Sequence, residues 1–166
     1  MIGATYSGKI TNARHFSFMG EGVIQAKAIK VEAVWTGYAT GTAISVPVTI
    51  TNVPNSYFLA VIVSMGGSQS VSGAALGGVA LTTIYQNSSA FTFHGGLLSP
   101  TTGAKNLVAT LSSTGQPWRC VCYLLSGVNQ TTPTVASNTS YGTPIVTVST
   151  SVVTAANGLL VDAIAF

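Results

Sequence analysis

Charge is what this sequence has least of. Only 5% of its residues are Asp, Glu, Lys or Arg, six of them basic and three acidic, where an ordinary soluble domain carries about 25%. Six scattered cations cannot build the basic field on which nucleic-acid binding depends, so the net charge of +3 points away from such a partner. Groups able to move protons are equally scarce. The carboxylates are Glu21, Glu32 and Asp162, and the histidines are His15 and His94. Glycosidase chemistry needs two carboxylates across one sugar, and two of these three sit in the first 32 residues. A triad would have to take His94, Asp162 and some serine, and no spacing favours it. No G-x-S-x-G, P-loop, H-E-x-x-H or G-x-G-x-x-G motif occurs. No catalytic residue, cofactor or metal is expected.

Long apolar runs are missing too. The best, Tyr57 to Val63, is far shorter than the ~20 residues of a membrane-crossing helix, so no membrane partner is expected. The opening MIGATYSGKITNARHF has no basic stretch leading into an apolar one, so a chain made in the cytoplasm without a signal peptide is expected.

In place of charge stand serine, threonine and 18 glycines, beside 47% apolar residues. That apolar share excludes a disordered chain, and hydroxyls with turn-forming glycines suit a β-rich one. The charge is also unevenly placed. Lys9, Arg14, Glu21, Lys27, Lys30 and Glu32 come first, and only Lys105, Arg119 and Asp162 follow. The break divides an extended N-terminal arm, residues 1–41, from a nearly neutral domain, residues 42–166. Partner contacts are expected in the arm, at Arg14, Phe16, Phe18, Lys27, Lys30 and Trp35. Within it, VIQAKAIKVEAVW (23–35) reads as a strand between glycines, although its Ala, Lys, Gln and Glu also suit a helix.

From Thr42 the pattern is regular. TAISVPVTITNVPN alternates Ile44, Val46, Val48 and Ile50 with polar residues, a half-buried strand. Pro47 marks it as an edge, since proline donates nothing to a ladder. YFLAVIVSM is apolar on both faces, as a central strand is. MGGSQSVSGAALGG reads as a loop and GVALTTIY as one strand. AFTFHGGLLS, NLVATLS, WRCVCYLLSG, TPIVTVST and GLLVDAIAF follow as strands. The expected fold is all-β, an antiparallel β-sandwich of jelly-roll or immunoglobulin-like type. The last strand breaks off at Phe166 in mid-pattern, so further strands are expected beyond it.

Both cysteines fall in one strand, spaced by two. Trp118, Cys120, Cys122 and Leu124 then share a face. Parallel side chains on one strand do not readily reach disulfide geometry, and two sulfurs are half of a zinc site. Two buried thiols are the expectation, and they fit folding in a reducing compartment. The sequons at Asn87, Asn129 and Asn138 read as turns. Trp35 and Trp118 are the best aromatic candidates for a stacking platform, and each reads better as a core or interface anchor.

The order of motifs from Thr42 onward resembles a β-sandwich domain of bacteriophage virion proteins and bacterial surface proteins. The elements are ISVPVTI, YFLAVIVSM, GGVALTTI, FTFHGGLLSP, GAKNLVATLSS and, most recognisably, YLLSGVNQTTP and TAANGLLVDAIAF. The resemblance implies a structural virion protein, first of all a phage capsid decoration (cement) protein, working in the virion. Its partners would be copies of itself in a homo-oligomer such as a trimer, and other virion proteins such as the major capsid protein. A tail or fibre component is the nearest alternative. A carbohydrate-binding or adhesin module is the other, and it would use Trp118 or loop tyrosines such as Tyr141.

Overall fold

The computed structural model describes residues 28–64, 70–87, 92–112, 117–133 and 159. Among them the protein is all-β. Nine strands form two antiparallel sheets packed face to face. β1 (Lys30–Ala39), β9 (Trp118–Ser126), β3 (Tyr57–Ser64), β7 (Thr92–Leu98) and β6 (Thr82–Asn87) make up the first, in that order. β2 (Ala43–Ile50), β8 (Gly103–Leu111), β4 (Val71–Leu76) and β5 (Val79–Ala80) make up the second.

The pairings are nested. β4 pairs with β5, β3 with β7, β2 with β8 and β1 with β9. If β5 and β6 count as one strand bent across both sheets, this is the connectivity of a jelly roll, a long hairpin wound upon itself. Leu81 is the bend. It is buried in the core, and its N–H donates to the Ala74 carbonyl at 2.8 Å. GVALTTIY is therefore not the single strand its composition suggests. The side chain of Gln86 ties the bent-away half back to β4, donating to the Val71 carbonyl at 3.1 Å.

β4 corrects a second expectation. SVSGAAL reads as loop because of its glycine and small residues, yet Val71–Leu76 pairs with β8 and buries Val71, Ala74 and Leu76. The ladder offered by β8 overrides the weak intrinsic preference of the segment. Its exit is the Gly77–Gly78 turn, with φ of 55° and 84°, the left-handed pair that a two-residue hairpin requires.

β1 moves a boundary. Residues 30–39 pair with β9 along their whole length, so the sandwich begins at Lys30 and not at Thr42. Alternation carries β1 into the sheet. Ala33, Trp35, Gly37 and Ala39 turn toward the core, and Val34, Thr36 and Tyr38 turn out.

Other expectations hold. Pro47 lies exposed on β2, an edge strand among the described residues. β3 is central, with both faces buried. Between the sheets, Ile44, Val46, Val48, Leu107, Ala109 and Leu76 meet Phe58, Ala60, Ile62, Trp118 and Leu124. TPIVTVST lies outside the described residues, as does GLLVDAIAF apart from Leu159.

SGVNQTTP closes one end of the sandwich. Gly127 and Val128 donate to the Pro54 and Asn55 carbonyls, both at 3.1 Å. Gln130 donates to the carbonyls of Ser56 and Val128 and accepts from Ser99 Oγ at 2.8 Å. Asn129 Oδ1 accepts the N–H groups of Thr131 and Thr132 at 2.8 and 3.0 Å, an Asx turn that accounts for its place in the chain.

At Gly37 β1 lies close against β2 of the other sheet, and an added Cβ would stand 2.3 Å from Val46 Cγ2. Gly37→Ala is expected to lower unfolding free energy by about 1–3 kcal/mol through overpacking, seen as a lower urea midpoint. Gly73→Ala, whose added carbon meets nothing within 4 Å, is the control and should stay within about 0.5 kcal/mol.

Candidate interaction surface

Six residues were expected to touch a partner. Arg14, Phe16, Phe18 and Lys27 lie outside the described residues. Lys30 and Trp35 are on β1, and the pleat parts their roles. Lys30 opens the strand, exposed. Trp35 packs inward against the core, its ring centroid 6.4 Å from that of Phe58. Its indole is a core contact.

β1 contributes different residues to the surface. Val31, Val34 and Tyr38 are 47%, 52% and 57% exposed, the most exposed large apolar side chains of the five-stranded sheet. Their partners on β9 are Leu125, Tyr123 and Arg119. The Arg119 guanidinium stands over the Tyr38 ring, 5.5 Å from its centroid, a cation–π contact worth about 0.5–1 kcal/mol at an exposed site. Glu32 sits where the register slips between Val31 and Ala33, and the bulge turns its carboxylate to accept the hydroxyl of buried Ser126. Glu32 is thus engaged within the sheet. Lys30 and Arg119 leave the band between them apolar, aromatic and mildly basic.

Sequence reading fixed on the charges and aromatics of the arm and missed this band. Period-two alternation over 30–39 was the available signal, since it assigns Val34 and Tyr38 to the face opposite Trp35.

The second aromatic candidate resolves differently. Trp118 is 1% exposed and lies in the core, its Nε1 without a hydrogen-bond partner among the described residues. Burial at that depth removes it as a stacking platform for sugar. Tyr141 lies outside the described residues. His94 is on β7, set edge-on to Tyr85 with ring centroids 5.9 Å apart, and Asp162 lies outside the described residues.

The cysteine stripe is as expected. Trp118, Cys120, Cys122 and Leu124 are all buried, and both cysteines are free. The two Sγ atoms lie 3.4 Å apart and share a hydrogen bond. That bond, then burial, then repulsion from a charge on Cys122 hold the Cys120 thiol protonated, raising its pKa far above the ordinary thiol range. A thiol so held is a poor nucleophile, because the thiolate is the reactive form. Among the described residues, no three His, Cys, Asp or Glu side chains gather as metal ligands would.

Comparison with protein-family models, with curated proteins and with solved structures finds no match for this chain.

The raised pKa of Cys120 has a consequence for stability. Above the pH at which a free thiol ionises, ~8.5, the unfolded chain sheds this proton and the folded chain keeps it. The unfolded state then binds fewer protons, so stability falls as pH rises. As pH rises from ~8.5 to ~10 the wild-type protein should lose stability relative to Cys120→Ala, with a slope that steepens toward about 1.4 kcal/mol per pH unit, measured by urea unfolding at each pH. A thiol-specific reagent such as DTNB should label neither cysteine in the folded protein and both in denaturant.

Proposed function

We propose that this chain is a structural virion protein, a bacteriophage capsid decoration protein that works by contact between its own copies and with the shell. The observation that carries the reading is the band on β1, an edge strand among the described residues, where Val31, Val34 and Tyr38 stand exposed beside Arg119. Apolar and aromatic side chains with an arginine are what interface centres are enriched in. A jelly-roll sandwich suits the role, since the architecture recurs in viral capsid domains. It also recurs in lectins and cupins, so fold alone does not decide function. The sequence resemblance to virion β-sandwich domains supports the same reading. The scarcity of charge supports it too, because a nearly neutral surface packs against copies of itself at little desolvation cost.

The arm, residues 1–27, would extend from β1 to the shell, and Lys30 with Arg119 would steer the encounter toward an acidic surface. A carbohydrate-binding module is the alternative, and Tyr38 would be its exposed aromatic. The Arg119 guanidinium over that ring is then an obstacle, since a stacking sugar would have to displace it.

Two measurements test the reading. Light scattering of the full chain should give a homo-oligomer, and Val34→Glu with Tyr38→Glu should weaken its association by about tenfold or more, equivalent to about 1.4 kcal/mol, while the sandwich stays folded by circular dichroism. Deleting residues 1–27, which spares β1, should abolish binding to undecorated shells and leave the sandwich folded. Retained binding would remove the arm from the mechanism. A monomer that binds no particle, yet binds glycans on an array, would replace the proposal with the carbohydrate reading.

A further inference from the structure

The five-stranded sheet has a second apolar face, turned away from the core. Tyr57, Leu59 and Val61 alternate with the core residues Phe58, Ala60 and Ile62 along β3, so they point outward. They are nevertheless only 6%, 8% and 4% exposed, and with Leu125 and Val128 they form a second buried cluster. Among the described residues, no strand lies on that side of the sheet. Two described residues from outside the strands pack against the cluster, Ile29 and Leu159.

Their contacts mean different things. Ile29 directly precedes β1, and Val31 is paired with Leu125, so chain connectivity alone brings it there. Leu159 is remote in sequence from every residue of the cluster, and nothing in the connectivity of β3 or β9 requires it to be near. Its contact reports a tertiary choice.

We propose that this face is the docking surface for the chain's own C-terminal segment, residues 144–166, with Leu159 as its anchor. The chemistry of the two ends of the chain favours that occupant. Residues 134–166 hold a single charged side chain, Asp162, among runs such as PIVTV, LLV and AIAF, whereas residues 1–27 carry Lys9, Arg14, Glu21 and Lys27. Covering Tyr57, Leu59 and Val61 with the charged segment would desolvate ammonium and carboxylate groups against an apolar surface, at a cost of several kcal/mol for each unpaired ion. The neutral segment incurs almost none of that cost. The docking also divides the outer face. Its centre is committed within the chain, and the rim at Val34 and Tyr38 is left for other partners. The inference does not depend on what those partners are.

The test is photocrosslinking in the full chain, with a diazirine amino acid placed singly at positions 159, 161 and 164. Crosslinks from all three positions to the peptides holding Tyr57–Val63 or Leu125–Val128, at monomer mass, are the expected result. Crosslinks to these peptides from 159 alone would overturn the proposal, reducing Leu159 to an isolated contact. Crosslinks found only at dimer mass would also overturn it, by making a second copy the occupant. As an independent readout, Leu159→Asp should raise binding of a hydrophobic dye several-fold while the Trp118 fluorescence of the core is kept. Unchanged dye binding in a folded variant would count against the docking. If that variant fails to fold, the crosslinks decide alone.

Discussion

The sandwich depends on β9. This strand lies between β1 and β3 and is paired with both along nearly its whole length. Its inward stripe, Trp118, Cys120, Cys122 and Leu124, runs down the middle of the core with at most 1% exposure. The last strand of the nested set is therefore the one that locks it. Until β9 is in place, β1 has no sheet to join and the inner face of β3 lacks a flank. The two thiols belong to this constraint. Cys122 sits between Trp35 and Ala60, and Cys120 between Gly37 and Ile62, each buried as a compact hydrophobe.

Scarcity of charge shapes the rest. With few ionic groups available, the polar contacts of the protein are made largely by serine, asparagine and glutamine side chains, and several join segments far apart in the chain. Gln130, Asn129 and Gln86 satisfy backbone groups at the ends and crossings of strands, and the Ser99 hydroxyl donates to the Gln130 side-chain oxygen. Such bonds each contribute modestly, about 0.5–1.5 kcal/mol. Their value lies in direction, because they fix where a turn may sit once the apolar faces have brought the strands together. The proposed role as an assembly component follows the same economy, as a surface with little charge loses little when it is covered.

The strands that could be read in the sequence were those whose pattern matched a single environment. β2 alternates because one face is buried and the other wet. β3 is apolar throughout because both faces are covered, and β9 carries its stripe at a spacing of two. The elements that could not be read were those defined by a neighbour. β4 has small residues and a glycine, and becomes a strand because β8 supplies a ladder. β5 and β6 share one continuous stretch, which must bend at Leu81 because its two halves belong to different sheets. β1 reads as part of an arm because its first residues, Lys30 and Glu32, are charged, and its pairing with β9 depends on residues far along the chain. The same holds for the candidate surface. The aromatics of 30–39 were visible, but the pleat decided that Trp35 would enter the core and Tyr38 would not.

Composition and period together determined an all-β sandwich, the identity of its central strands, and two cysteines buried as free thiols. These follow from local chemistry, because alternation and apolar content state which faces must leave water. Tertiary structure alone decided the order of strands, the bend at Leu81, the inclusion of β1, and which side chains remain outside. Those outcomes depend on pairings between distant segments, whose cost in chain entropy is met only when the whole core forms. No stretch of a few residues carries that information.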